Sequence, residues 1–122
     1  MNNVSKIIFS FILTLISTSL MAETTTEMET QHLLQYIGNS GCTFVRNGSD
    51  YTSEEAEAHI LRKYNYVKNK VSTTEQVIKY AATESSFSGK AYTIKCPGQE
   101  PLPSAEWLTV ELKKYRAEEY QK

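Results

Sequence analysis

The sequence is poor in cysteine and proline, and it has no excess of charge of either sign. Its 122 residues include two cysteines and three prolines, and 13 basic side chains stand against 14 acidic ones. A near-neutral chain lacks the basic surface that nucleic acids require and the polybasic patch that holds anionic membranes. Two cysteines cannot form a zinc site alone, and neither histidine lies at ligand spacing from them. We therefore expect no nucleic-acid partner, no metal site and no cofactor.

A short apolar run lies near the N-terminus. Residues 7–16 read IIFSFILTLI, follow Lys6 and precede the sequence STSLMA. A basic residue, a short apolar run and a small final residue are typical of a secretory signal peptide. The run is too short to span a bilayer comfortably, although an uncleaved membrane anchor is the alternative. We predict a signal peptide over residues 1–22 and a single periplasmic domain over residues 23–122, without stable membrane insertion after cleavage.

The two cysteines, Cys42 and Cys96, are far apart in the sequence. An even number of cysteines in an exported chain favours a disulfide, because oxidising compartments preserve such bonds. Their spacing is not that of the C-x-x-C motif of redox catalysts. We therefore predict a structural disulfide between Cys42 and Cys96.

Apolar spacing and capping residues predict about four helices. The first runs from about Met28 to the glycines Gly38 and Gly41, after a polar, frayed segment. Capping boxes at residues 52–55 and 72–75 open the second and third helices. Ser104 caps the fourth, and the tail after Arg116 is expected to fray.

Two short β-prone segments, residues 42–46 and 91–96, predict an antiparallel pair of strands. If Cys42 lies opposite Cys96, Phe44 faces Ile94 and all of these side chains share one face, since strand side chains alternate. Directly opposed residues of such a pair are close enough for a disulfide. We predict an α+β fold in which about four helices pack on a short two-stranded antiparallel β-ribbon with one disulfide.

Several short motifs together resemble one protein family. They are FVRNG at 44–48, T-x-E-E-A at 52–56 with His59, TTEQVI at 73–78, S-S-x-S-G-K-x-Y at 85–92 and CPG at 96–98. In combination they resemble the YfeK-like proteins, small periplasmic bacterial proteins grouped as a domain of unknown function. The similarity runs from about residue 30 to 116. It implies a bacterial envelope protein with one shared fold and brings no assigned activity.

The predicted strand register brings two polar segments to one end of the ribbon. The turn of Arg46, Asn47 and Gly48 meets the segment that contains Ser85, Ser86 and Lys90, because Arg46 lies opposite Tyr92. Such a donor-rich group suits a carboxylate or a peptide terminus. The alternative is that these side chains fasten two tight turns through hydrogen bonds to the backbone.

Two further residues complete the candidate partner-binding set. Tyr51, like other tyrosines of the chain, offers rigid contact area for a protein interface or ordinary packing. His59, on the second helix, is interpreted as a partly buried, hydrogen-bonded histidine, with a catalytic role as the alternative.

From these features we expect a non-enzymatic binding protein of the cell envelope, whose partner is a periplasmic protein or a cell-wall fragment. The alternative is a small envelope hydrolase or cell-wall enzyme that uses His59 with the Arg46 and Ser85 surface. No G-x-S-x-G motif presents a nucleophilic serine in this sequence.

Overall fold

The computed structural model describes residues 23–121, so the predicted signal peptide lies outside the described residues. The elements, in chain order, are α1 (Thr25–Asn39), β1 (Thr43–Arg46), β2 (Ser49–Tyr51), α2 (Ser53–Val67), a 3-10 turn (Lys68–Lys70), α3 (Thr74–Ala81), β3 (Thr93–Lys95), β4 (Leu102–Pro103) and α4 (Ser104–Glu119). Within the described range, no helix has the length and apolarity needed to cross a membrane. The predicted α+β class and the four helices are confirmed.

The sheet has four strands in the order β2-β1-β3-β4, and every neighbouring pair is antiparallel. The predicted register of the central pair is confirmed, because Phe44 lies opposite Ile94. The predicted disulfide between Cys42 and Cys96 is present, with a Cα–Cα distance of 4.3 Å. The expected count of two strands was wrong, because β2 and β4 extend the central pair on both sides.

The Asn47–Gly48 turn explains the additional strand β2. Arg46 pairs with Ser49, so the hairpin loop has two residues. Asn47 and Gly48 both have positive φ angles, 52° and 78°, which is the backbone of the two-residue turns that fit the twist of a hairpin. The sequence predicted the turn, but Ser49 and Asp50 carry little β propensity, and their pairing depends on the turn geometry.

The core lies between the inner face of the sheet and the four helices. Phe44 and Ile94 supply the sheet side, and Phe44 packs edge-on against Trp107 of α4. The helices contribute the remaining buried apolar side chains, which include Leu33, Ile37, Ala56, Ile60, Val77, Ile78, Leu108 and Leu112. This packing places α2 against β1, and so positions the polar face described below.

Three predicted helix boundaries needed correction. Helix α1 begins at Thr25, three residues before Met28, because Thr24 and Glu27 form a capping box that the polar composition concealed. Helix α3 is capped by Thr73 with Gln76 rather than by Ser72 with Glu75. Ser104 is the first residue of α4, not its cap. Its backbone N–H donates to the Tyr92 carbonyl oxygen over 2.9 Å.

The tail after Arg116 does not fray as predicted. Helix α4 continues to Glu119, and the Tyr120 hydroxyl donates to the carboxylate of Glu29 over 3.2 Å. Arg116 also binds Glu29. A buried carboxylate on α1 therefore holds the C-terminal end of α4 in place.

Candidate functional site

Helix α2 and the sheet meet at a polar face on the side of β1 and β3. Arg46 ends β1, Tyr51 ends β2, and Tyr92 precedes β3. His59 and Lys63 are four residues apart on α2, so they lie one above the other on the same side of the helix. The fold thus brings five polar side chains together from β1, β2, α2 and the loop before β3. They are those of Arg46, Tyr51, His59, Lys63 and Tyr92.

Arg46 binds two neutral aromatic side chains. Its Nη1 lies 3.1 Å from Nδ1 and 3.2 Å from Nε2 of His59, and its Nη2 donates to the Tyr51 hydroxyl over 2.9 Å. The guanidinium carbon also lies 4.7 Å from the centroid of the Tyr51 ring. Because a guanidinium donates and never accepts, a nitrogen of His59 must accept its hydrogen bond.

Tyr92 links His59 to Lys63. The Tyr92 hydroxyl lies 3.1 Å from Nε2 of His59 and accepts a hydrogen bond from Nζ of Lys63, also over 3.1 Å. Lys63 donates a second hydrogen bond to the backbone carbonyl oxygen of Glu84 over 2.8 Å. Tyr92 is itself buried, so it forms the floor of this network while Lys63 covers its outer side.

The surroundings of His59 keep its imidazole neutral. Burial, followed by the charges of Arg46, Lys63 and Arg62, lowers the pKa of His59 from 6.5 to about 4. Both effects act in the same direction, because a low-dielectric site and nearby cations each disfavour a second positive charge. At neutral pH His59 therefore acts as a neutral acceptor that orients the guanidinium of Arg46.

This lowered pKa makes His59 a source of acid sensitivity. Between about pH 6.5 and pH 4 the unfolded chain binds a proton at His59 that the folded chain does not, so the free energy of unfolding should fall as the pH drops through this range. A His59→Gln variant should lose less stability over the same range. Urea unfolding at several pH values measures this, and equal pH slopes for variant and wild type would contradict the assignment.

The Asn47 turn and the Ser85 segment meet, and their hydrogen bonds hold them together. Asn47 Nδ2 donates to the Ser85 hydroxyl over 3.1 Å, and the Ser88 hydroxyl donates to Oδ1 of Asn47. Ser85 is only 5% exposed and also accepts from the backbone N–H groups of Phe87 and Ser88. Asn47 and Ser85 therefore fasten two loops to each other, and Ser85 does so partly through hydrogen bonds from the backbone.

The remaining predicted site residues have different positions. Gly48 completes the hairpin turn, and Lys90 is exposed beyond the serine segment. Ser86 is exposed and faces a groove beside α2. In the described part of the chain, no hydrogen bond joins His59 to Ser85, so these two residues do not form a nucleophile–base pair in this structure.

The groove beside α2 brings together residues that the sequence did not predict to be neighbours. Its volume is about 440 Å³, and its lining consists of His59, Arg62, Lys63, Tyr66, Val67, Tyr80 and Ser86. The spacing of His59, Lys63 and Tyr66 on one helix could have indicated a common face. The approach of Tyr80 from α3 could not, because it depends on how α3 packs against α2.

We call the group of Arg46, His59, Arg62 and Lys63 the cationic face. The structure shows only uncharged hydrogen-bonding partners for Arg46 and Lys63 within residues 23–121, and none of the residues that line the groove is acidic. In the same range, no cluster of three or more histidine, cysteine, aspartate or glutamate side chains is placed to hold a metal ion. The arrangement is suited to binding an anion.

Comparison with known proteins places the chain in a family. The curated protein "Uncharacterized protein YfeK" of Salmonella typhimurium (strain LT2) is 44% identical over 50 residues, which cover 41% of this chain and 42% of that protein. No solved structure matches the chain. The model of the family described as "Family of unknown function (DUF5329)" matches residues 24–116. The predicted resemblance is thereby confirmed, and the chain belongs to this family of unknown function.

Proposed function

We propose that this protein is an exported, non-enzymatic binding protein of the bacterial cell envelope that takes a carboxylate-bearing cell-wall fragment on its cationic face. The observation that carries the proposal is positive charge gathered without an acidic partner. The chain as a whole has a formal net charge of −1, yet Arg46, Arg62 and Lys63 surround one neutral histidine. A ligand carboxylate would supply the missing countercharge.

The donors of Arg46 support this role. A guanidinium has five N–H donors in a planar fork that matches the two oxygens of a carboxylate. Hydrogen bonds to His59 and Tyr51 occupy only part of that fork and fix its orientation. Such a pre-positioned arginine loses little side-chain freedom when it binds, which favours affinity.

Export is proposed from the sequence and supported by the disulfide. The basic residue, apolar run and small final residue of the first 22 residues are typical of secretory leaders. The bond between Cys42 and Cys96 is of the kind that persists in oxidising compartments such as the periplasm. A periplasmic location would place the cationic face beside peptidoglycan, whose stem peptides carry free carboxylates.

The proposal predicts that Arg46→Ala weakens binding of soluble peptidoglycan fragments at least about tenfold while leaving the fold intact, because charge-assisted hydrogen bonds to a carboxylate are lost. Isothermal titration calorimetry with fragments of known composition measures the affinity. Fragments whose carboxylates have been amidated should bind wild-type protein as weakly as the variant binds the unmodified ones.

Two controls separate binding from folding. Lys114→Ala removes an exposed cation from α4 and should bind the fragments like wild type. Gly48→Val places a β-branched residue at a φ of 78° and should lower stability by roughly 1–2 kcal/mol. The proposal fails if Arg46→Ala binds as tightly as wild type, or if it unfolds as readily as Gly48→Val. Fragments cleaved by wild type but not by His59→Gln would instead favour the hydrolase alternative.

A further inference from the structure

We propose that the groove between α2 and the end of α3 binds an acidic glycan, with sugar rings stacked on Tyr66 and Tyr80 and carboxylates held by Arg62 and Lys63. The inference rests on the proposed function and names the part of the ligand that this groove recognises. It adds a second contact region, continuous with Arg46 through the shared residue His59.

The dimensions of the groove suit a short oligosaccharide. Its volume of about 440 Å³ lies within the range of roughly 300–1,000 Å³ that small-molecule sites occupy. His59 and Tyr66 are seven residues apart on α2, which corresponds to about 10 Å along the helix axis. An elongated ligand can therefore contact His59, Lys63 and Tyr66 on successive turns.

The tyrosines of the groove present their rings to solvent. Tyr66 is 88% exposed and Tyr80 is 50% exposed, and Phe87, next to Ser86 in the adjoining loop, is 98% exposed. Large aromatic groups left outside the core in one neighbourhood mark an interaction surface. Lys79 lies over the Tyr80 ring, 5.3 Å from its centroid, and so adds another cation beside the groove. A sugar ring, with an apolar C–H face and a polar rim, matches such aromatic faces.

The backbone around the groove argues against an extended peptide as the ligand. Peptides recognised by strand addition pair with free N–H and C=O groups at the edge of a sheet. The groove is instead formed along helix α2 and the end of α3, where backbone groups bond within the helices.

Charge distinguishes this groove from a larger depression elsewhere on the described surface. A depression of about 600 Å³ beside Cys96 has Asp50 and Glu100 in its lining, with Lys95 as the cation. An acidic ligand is repelled there and attracted to the groove that contains Arg62 and Lys63. Complementary charge of this kind fixes which surface a ligand meets and in which orientation.

The test compares three probes by calorimetry on the full exported protein: a tetramer of galacturonic acid, the same tetramer with its carboxyl groups reduced to alcohols, and a tetramer of glutamate. We expect the acidic tetrasaccharide to bind at least about tenfold more tightly than either of the other two. The reduced sugar lacks the charges, and the peptide lacks the ring faces.

Variants assign the binding to the groove. Tyr66→Ala should weaken binding of the acidic tetrasaccharide at least about fivefold, whereas Tyr66→Phe, which keeps the ring, should retain it. Val110→Ala removes an exposed apolar side chain from α4 and serves as the matched control. Arg62→Ala should weaken binding, and Lys114→Ala should not.

The outcomes separate this inference from the proposed function. If the glutamate tetramer binds as well as the acidic tetrasaccharide, or if Tyr66→Ala binds like wild type, the glycan assignment is wrong while carboxylate binding at Arg46 stands. If the reduced tetrasaccharide binds as tightly as the acidic one, the assignment of an acidic glycan is also wrong, because charge would then play no part. If peptidoglycan fragments also fail to bind, the proposed function fails with it.

Discussion

Removal of the disulfide is expected to lower the free energy of unfolding by about 4 kcal/mol, since the bond closes a loop of roughly 55 residues in the unfolded chain. The two cysteines are 54 residues apart, and Cys42 is buried beneath the sheet. The loop contains β1, β2, α2, α3 and β3, so the bond restrains most of the elements that build the cationic face.

A double variant, Cys42→Ser with Cys96→Ser, measures this effect in urea unfolding without leaving a reactive thiol. Wild-type protein treated with a reductant should unfold at the same urea concentration as the variant. Native, unreduced wild type should titrate no thiols. Two titratable thiols, or a variant as stable as wild type, would contradict the assignment.

The second large effect concerns the carboxylate of Glu29, which is 2% exposed. Arg116 donates to it from Nε over 2.7 Å and from Nη2 over 3.0 Å, and the Thr74 hydroxyl donates over 2.6 Å. The bonds from Arg116 contribute most to lowering the pKa of Glu29, and the bond from Thr74 acts in the same direction. This carboxylate therefore joins α1, α3 and α4.

Arg116→Met should destabilise the protein by about 3 kcal/mol, because it leaves a buried charge without its countercharge. This loss is at the lower end of the range for buried ion pairs that lose one partner, because Arg116 is itself partly exposed and also binds Glu75. A second substitution, Glu29→Gln, should recover part of the loss by removing the charge. Lys113→Met, at an exposed position of the same helix, is the control.

The pH dependence of stability provides an independent check on the ion pair between Glu29 and Arg116. A carboxyl whose pKa is lowered in the folded state stabilises the fold above its unfolded pKa and loses that stabilisation as the pH falls through the folded value. For Glu29 this loss begins below about pH 4.5. The difference in the free energy of unfolding between wild type and Arg116→Met should therefore become smaller in that pH range. A difference that is independent of pH, or one shared by Lys113→Met, would contradict the role of Glu29.

The central strand pair could be predicted because two independent signals agree on it. The alternation of Phe44 and Ile94 and the pairing of Cys42 with Cys96 require the same register. The Asn47–Gly48 turn was equally clear, since both residues tolerate positive φ. Strand β4 was not predictable, because two residues that include Pro103 carry no strand pattern of their own.

The buried ion pair shows why the sequence was less informative about the helix ends. Glu29 and Arg116 are 87 residues apart, and each lies in a polar segment that resembles a frayed terminus. Only the packing of α1 against α4 makes Glu29 an interior residue. No local pattern contains that information, so both ends of the domain were predicted to be less ordered than they are.

In the candidate site, too, some contacts could be predicted from the sequence and others could not. The proximity of Arg46, Tyr92 and the Ser85 segment followed from the strand register. The bonds of His59 to Arg46 and Tyr92 required the placement of α2 on the sheet. The groove of Tyr66 and Tyr80 required, in addition, the packing of α3 on α2, which the spacing of apolar residues does not specify.

The most direct test of the account is nuclear magnetic resonance of the isotopically labelled protein titrated with soluble peptidoglycan fragments. If the cationic face is the binding site, the largest shifts of backbone amide signals should fall at Arg46, His59, Arg62 and Lys63. Signals near Cys96 should move little. Shifts concentrated around Cys96, or no shifts at saturating fragment, would contradict the assignment of this face as the functional site.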